Sequence, residues 1–223
     1  MGQLFMKNNT KLNMFRGAVA AFVMFSATTA SAFSVTTGGV NPADGTGLHS
    51  AQGWYLENTF DAPDQFGTYI GGAVVQGSDQ NLYATPPLDE SKYRTVGTNN
   101  FQKSPMTITL AAVASYFGYF AGSPDLYNSV AFYFGDRLIA EFGGDDLAAA
   151  AQLAPNGDHS AGDYWNFFAE SPSEYFNTVK FFSTQNAFET DNHAVNAVPL
   201  PAAAWLFGSA LLGFAGFSNR RKA

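Results

Sequence analysis

Between residues 53 and 183, apolar and polar positions fall into short blocks rich in aromatic and β-branched side chains, punctuated by Gly, Pro, Asn and Asp. Seven blocks read as strands: 53–60, 67–75, 106–114, 130–134, 138–142, 164–168 and 178–183. Thr107-Ile108-Thr109-Leu110 alternates as a strand with one covered face does. Phe132-Tyr133-Phe134 and Val179-Lys180-Phe181-Phe182 do not alternate and need both faces partly covered. Gly135-Asp136-Arg137 is a short loop of the kind that joins adjacent antiparallel strands. One short helix is expected over 145–153, with Asp145 as N-cap and Pro155-Asn156-Gly157 ending it. The stretch 37–50 has no sustained period and reads as an irregular arm or a first edge element. Short strands without βαβ spacing or a fixed-period repeat predict an all-β chain, an antiparallel β-sandwich that buries facing aromatics.

The two ends depart from this pattern. Lys7, Lys11 and Arg16 precede an apolar run over 17–25, and Ala30-Ser31-Ala32 supplies the small residues that signal peptidase cuts after. Residues 1–32 therefore read as a signal peptide, with Ala30 and Ala32 marking the cleavage site. At the other end, an apolar run over 202–217 is followed by Ser218-Asn219-Arg220-Arg221-Lys222, the pattern of a membrane helix whose basic end stays in the cytoplasm. Its 16 residues span about 24 Å as a helix, slightly short of a hydrocarbon core of about 30 Å unless flanking residues join in. Between the ends, residues 33–197 form one extracytoplasmic domain, large enough to bury a core of its own.

Charge narrows the partners. Six of the 11 Lys and Arg lie in the acid-free ends, which leaves five against 18 acids in the domain, a formal net of −13. Phosphate binding draws on clustered Lys and Arg, so nucleic acid is excluded as an expected partner, while abundant carboxylates supply oxygen ligands for Ca²⁺. Cysteine is absent, which removes thiol nucleophiles and thiolate metal sites and leaves stability to core packing.

The C-terminal run Val198-Pro199-Leu200-Pro201-Ala202-Ala203-Ala204-Trp205-Leu206-Phe207-Gly208-Ser209-Ala210-Leu211-Leu212-Gly213-Phe214-Ala215-Gly216, with Arg220, Arg221 and Lys222 behind it, closely resembles the PEP-CTERM sorting signal. Leu200 stands where that family carries its name-giving Glu. The resemblance covers about the final tenth of the chain. It implies recognition by the membrane protease exosortase in a Gram-negative bacterium that makes extracellular polysaccharide. The protein would be anchored transiently in the inner membrane by the C-terminal helix, then moved to the cell surface or matrix. Two internal segments resemble exosortase-dependent surface proteins with lectin-like sandwiches. They are the Gly-Ser-x-Asp-x-Tyr-Asn loop at Gly122-Ser123-Pro124-Asp125-Leu126-Tyr127-Asn128 and the Phe-Glu-x-Asp-Asn segment at Phe188-Glu189-Thr190-Asp191-Asn192. This second resemblance implies a lectin-like, jelly-roll form of the sandwich.

Asp125, Asn128, Glu189, Asp191 and Asn192 carry the oxygen types that a structural Ca²⁺ ion takes; no other cofactor is expected. The competing reading makes both segments turns, their side chains bonded to nearby backbone N–H groups, with Asp191-Asn192 lying before the final strand. Trp54, Tyr69, Tyr116, Tyr119, Tyr127, Tyr164 and Trp165 are candidates for a sugar-stacking platform. His49, His159 and His193 are dispersed without zinc spacing, and neither a Gly-x-Ser-x-Gly elbow nor a phosphate-cradling Gly loop occurs. With no catalytic residues recognisable, the expected role is structural or polysaccharide-associated binding at the surface, not catalysis. One alternative is a polysaccharide-active enzyme using two of the carboxylates. A second is an ice-binding surface protein, for which Thr107-Ile108-Thr109 is the only Thr-x-Thr strand fragment.

Overall fold

A computed structural model describes residues 33–53, 55–63, 66–122 and 124–198. The signal-peptide residues Ala30 and Ala32, and Pro199, Leu200, Pro201, Arg220, Arg221 and Lys222 of the sorting signal, lie outside the described residues, as does Trp54. Val198 is described, and its N–H donates to the Val113 carbonyl at 2.7 Å.

The strands are β1 (Ser34–Thr37), β2 (Gly39–Val40), β3 (His49–Ser50), β4 (Leu56–Asn58), β5 (Gly67–Ile70), β6 (Ala73–Gln76), β7 (Lys92–Val96), β8 (Met106–Gly122), β9 (Asn128–Phe134), β10 (Arg137–Gly143), β11 (Gly162–Phe168), β12 (Phe176–Ser183) and β13 (Phe188–Ala197). The only α-helix among the described residues, α1, spans Gly144–Ala151. Every ladder is antiparallel, and all strands but β2 and β3 join one large sheet; those two form a small sheet of their own. The described residues are therefore mostly β in their regular structure, with this helix and one 3₁₀ turn besides.

Several expected elements sit where the pattern put them, and the departures have local causes. The expected 67–75 strand is two strands, because Gly71 and Gly72 take φ of +80° and +61° and turn the chain between β5 and β6. A Cβ on Gly71 would also lie 2.4 Å from the Pro105 carbonyl oxygen. The Gly135-Asp136 hairpin joins β9 to β10 as expected, with Gly135 at φ +58°. The helix begins earlier than the Asp145 cap implies: Gly143 is the N-cap, and its N–H is bonded by Asp146 Oδ2 at 3.0 Å. Asp146, three residues on, thus supplies the capping carboxylate, and Asp145 sits inside the first turn.

The central element is β8. Its first half pairs with β5 and β12, whereas its second half, from Tyr116, pairs with β11 and β13. Burial changes character along it: Met106, Ile108 and Leu110 alternate with more exposed neighbours, but 116–121 are buried on both faces. Phe117 and Tyr119 enter the main core with Phe132 of β9, Trp165 and Phe167 of β11, Phe176 and Phe181 of β12, and Phe188 of β13. Tyr116 and Phe120 join a second cluster with Tyr164 and Ala194, covered by Leu48, Tyr55 and Phe168. Gly118 permits that double packing, since a Cβ there would lie 2.6 Å from the Tyr164 ring.

Polar groups within these layers are bonded to one another. The Tyr116 hydroxyl contacts Ser50 Oγ at 2.7 Å and Asn166 Oδ1 at 2.8 Å, and the Tyr164 hydroxyl donates to the Asn192 carbonyl at 2.9 Å. His193 stands among Phe117, Tyr119 and Phe181, bonded to Tyr69 and Thr190, and complete burial holds its pKa well below the usual imidazole value. It is a neutral core residue.

Candidate functional site

A cleft of about 320 Å³ opens where the loop after β6, the loop after β8 and the start of β13 meet. That volume lies at the small end of the range for small-molecule sites. Its wall includes Tyr83, Asp125, Tyr127, His159, Asn186 and Glu189. The two short segments singled out in the sequence are thereby brought together, Asp125 and Tyr127 from one and Glu189 from the other, across more than 60 residues of chain.

Each wall is held by backbone bonds. The 78–85 loop is closed by the Asp79–Tyr83 bridge and by Ser78 Oγ, which accepts from Thr85 N–H at 2.9 Å. Asp125 sits in a turn whose carbonyl accepts the Asn128 N–H at 2.9 Å, and the start of α1 presses on that carbonyl. A Cβ on Gly144 would lie 1.9 Å from the Asp125 carbonyl oxygen, a backbone atom that has no rotamer by which to escape. Gly144→Ala is accordingly expected to cost roughly 1–3 kcal/mol and to displace Asp125, read as a lower denaturant midpoint at unchanged m-value. Asn186 is fixed by its side chain, whose Oδ1 accepts from Thr98 N–H at 3.1 Å and whose Nδ2 donates to the Asn81 carbonyl at 3.3 Å.

The cleft is rich in acceptors with unusual proton affinity. Glu189 Oε1 accepts the Ala84 N–H at 2.9 Å, yet burial raises its carboxyl to about 7, with the charge of Asp125 adding to the effect. Asp125 is also raised, chiefly by burial, and is bonded to the Tyr127 hydroxyl, which burial and that carboxylate together push far up. Two carboxyl groups that resist ionisation, two Tyr rings and an anchored amide form a polar-aromatic wall of the kind that holds hydroxyl-rich ligands.

The five oxygen-bearing residues expected to share an ion are not gathered at one point. Asp125 and Glu189 line the cleft. Asn128 is consumed inside the protein, donating to the Ala187 carbonyl at 3.4 Å and accepting from Ser183 Oγ at 2.7 Å. Asp191 and Asn192 are fully buried within β13, not in a turn ahead of the final strand. The turn reading of Asp125 and Asn128 holds for their backbones, but their side chains bond to Tyr127, Ser183 and Ala187 and not to local N–H groups. Among the described residues, no three His, Asp or Glu side chains come together as a metal-binding group.

Of the candidate stacking residues, Tyr116, Tyr119, Tyr164 and Trp165 are core, and Tyr69 stacks beneath the Arg94 guanidinium at 4.2 Å. Among the described candidates, Tyr127 alone lines the cleft. Tyr83, Asn186 and His159 were not singled out as ligand-contacting residues; only their clustering in space marks them. Thr109 falls in a rung with Thr68 of β5 and Thr178 of β12. No protein-family model, curated protein or solved structure matches the chain.

Proposed function

We propose that this chain is an exported, exosortase-sorted surface or matrix protein whose domain binds a saccharide of the extracellular polysaccharide in the Tyr83–Tyr127–Glu189 cleft. Export and sorting rest on the leader with Ala30 and Ala32 and on the tail Val198-Pro199-Leu200-Pro201 with Arg220, Arg221 and Lys222. The lectin-like sandwich is supported by β8, which serves two sets of partner strands, and by aromatics of β9 and β12 that face those of β8 and β11. The single observation that carries the binding role is the meeting of Asp125, Tyr127 and Glu189 in one open, aromatic cleft.

The test is a glycan array probed with the exported product, followed by titration of the best ligand. Tyr127→Ala is expected to weaken binding about tenfold, near 1.4 kcal/mol, while Tyr127→Phe keeps the ring and most of the affinity. Absence of any glycan ligand, or equal binding by both variants, would refute the cleft as the seat. Mass spectrometry of the same product is expected to show a chain starting at Phe33 and ending near 198–201.

A second reading is hydrolysis of the bound polysaccharide. It is favoured by Glu189, whose carboxyl is held protonated to about pH 7 beside a second carboxyl group, the condition a general acid needs. Release of reducing ends from the array ligand, abolished by Glu189→Gln, would establish it; binding without turnover would dismiss it.

A further inference from the structure

We propose that the cleft selects a saccharide carrying a free amino group and seats its ammonium against Glu189 and Asp125. This rests on the glycan reading above and narrows the class of sugar that the cleft admits.

The charged groups of the wall are one-sided. Asp79, Asp125 and Glu189 supply carboxyls, and among the described lining residues His159 is the only basic side chain, with no Lys or Arg. The Glu189 carboxyl is buried except where the side chain lines the cleft, and the charge that bears on it is that of Asp125, of like sign. His159 acts on Asp125 and not on Glu189. The hydrogen bonds that reach the Glu189 carboxyl come from backbone N–H groups, those of Ala84 and of Glu189 itself, and no side-chain donor joins them. As an anion it is short of a positive partner, and the cleft is the side from which one can come.

The donors of the wall are already engaged. In the 78–85 loop the N–H groups of Asp79, Leu82, Tyr83, Ala84 and Thr85 all bond within the protein. The Asn186 amide is committed to Thr98 and Asn81. The Tyr127 hydroxyl hydrogen is held between Asp125 and the Asn186 carbonyl, the latter at 3.4 Å. Tyr93 of β7, close enough to feel the Glu189 charge, donates its hydroxyl to the Gly77 carbonyl at 2.6 Å. Gln80 and Asn81 are exposed on the turn. The wall therefore presents mainly acceptors, and a ligand must bring hydrogens. An ammonium brings three N–H donors together with the missing charge. A uronic acid brings a like charge, and an N-acetylated sugar leaves Glu189 holding its proton. A Gln at 189 would serve a neutral sugar as well and cost less to bury, so a cationic ligand is what accounts for the carboxyl.

Calorimetric titration of the exported product tests this, with a glucosamine oligomer, its N-acetylated counterpart and a uronic acid oligomer of equal length. Salt at about 0.15 M screens the overall field of the acidic domain. The glucosamine oligomer is expected to bind about 10–100-fold more tightly than the N-acetylated one, and the uronic acid oligomer more weakly than both. With Glu189 raised to about 7, binding of the amine should release roughly half a proton at pH 7, read from the dependence of the heat on the buffer. Affinity should rise from about pH 5.5 to 7, a range in which the amine stays largely charged. Glu189→Gln and Asp125→Asn should each weaken glucosamine binding about tenfold or more, whereas Asp136→Asn in the exposed β9–β10 turn keeps it. Equal or tighter binding of the N-acetylated or uronic acid oligomer, or a preference that survives Glu189→Gln, would overturn the inference and leave the glycan reading in place. Binding of none of the three overturns it as well, and the array then decides whether the glycan reading falls with it.

Discussion

Glu189→Gln is expected to stabilise the protein at pH 8 and to leave it nearly unchanged at pH 4. Burial raises the Glu189 carboxyl from 4.5 to about 7 in the folded chain. The folded state therefore holds a proton that the unfolded chain releases between these values, and wild-type stability falls as pH rises from about 4.5 through 7. A shift of this size corresponds to roughly 3 kcal/mol at most. Gln carries no charge to desolvate and keeps an oxygen to accept the Ala84 N–H. At about 2–4 °C per kcal/mol for a domain of this size, Tm of the variant should exceed wild type by roughly 5–10 °C at pH 8. The difference between the two proteins should grow between pH 4.5 and 7 and then level off. A flat difference across that window would show that Glu189 ionises freely in the folded state. The variant also bears on function, since a carboxylate kept at such a cost in the wall of a cleft is characteristic of a residue retained for what it binds.

Phe132→Ala is expected to be more damaging than Gly144→Ala or any of the cleft substitutions. Phe132 has no exposed surface, and its ring lies 4.8 Å from that of Phe33, 5.0 Å from Phe167 and Phe176, 6.2 Å from Phe117 and 6.3 Å from Phe142. Truncation removes the residue that joins β8, β9, β10, β11 and β12, and the surrounding rings are too rigid to collapse into the space. The loss should be roughly 3–5 kcal/mol, visible as a lower denaturant midpoint at unchanged m-value. Phe101, 57% exposed, is the internal control: Phe101→Ala should stay within about 0.5 kcal/mol of wild type. Equal effects at both positions would mean that the aromatic core is not the source of stability.

The strands that the sequence displays plainly are those with one covered face or a clear turn beside them. Met106 to Leu110 alternates and is a strand; β9 and β10 flank a Gly-containing turn. The strands it conceals are covered on both faces. Tyr116-Phe117-Gly118-Tyr119-Phe120 shows no alternation because its two sides enter two different apolar clusters, so the periodic signal ends at 114 while the strand runs on to Gly122. β13 was obscured for the opposite reason. Glu189, Asp191, Asn192 and His193 are residues usually found at turns and surfaces, and here tertiary contacts with Ala84, Ser91, Leu48 and Tyr69 hold them in a buried strand. Asn192 even carries the positive φ of a turn residue, +48°, at the point where the β13–β8 register shifts.

The candidate site was legible to a similar degree. Asp125, Tyr127 and Glu189 stand in segments whose composition drew notice, but their convergence depends on pairing between β8 and β13, which local spacing cannot express. Tyr83, His159 and Asn186 sit in three unrelated loops and carried no local signal.

The last described strand is also an interior one. β13 is hydrogen-bonded to β8 along one edge and to β7 and β4 along the other, and it supplies Phe188, His193 and Val195 to the core. A nascent polypeptide that has emerged only as far as residue 187 lacks the piece that ties β4, β6 and β7 to the rest. It is left with an open slot in the middle of the sheet. Completion therefore waits for the final stretch to clear whatever ribosome or channel is delivering it. Until then β4 and the β6–β7 pair have no strand of the main sheet to pair with.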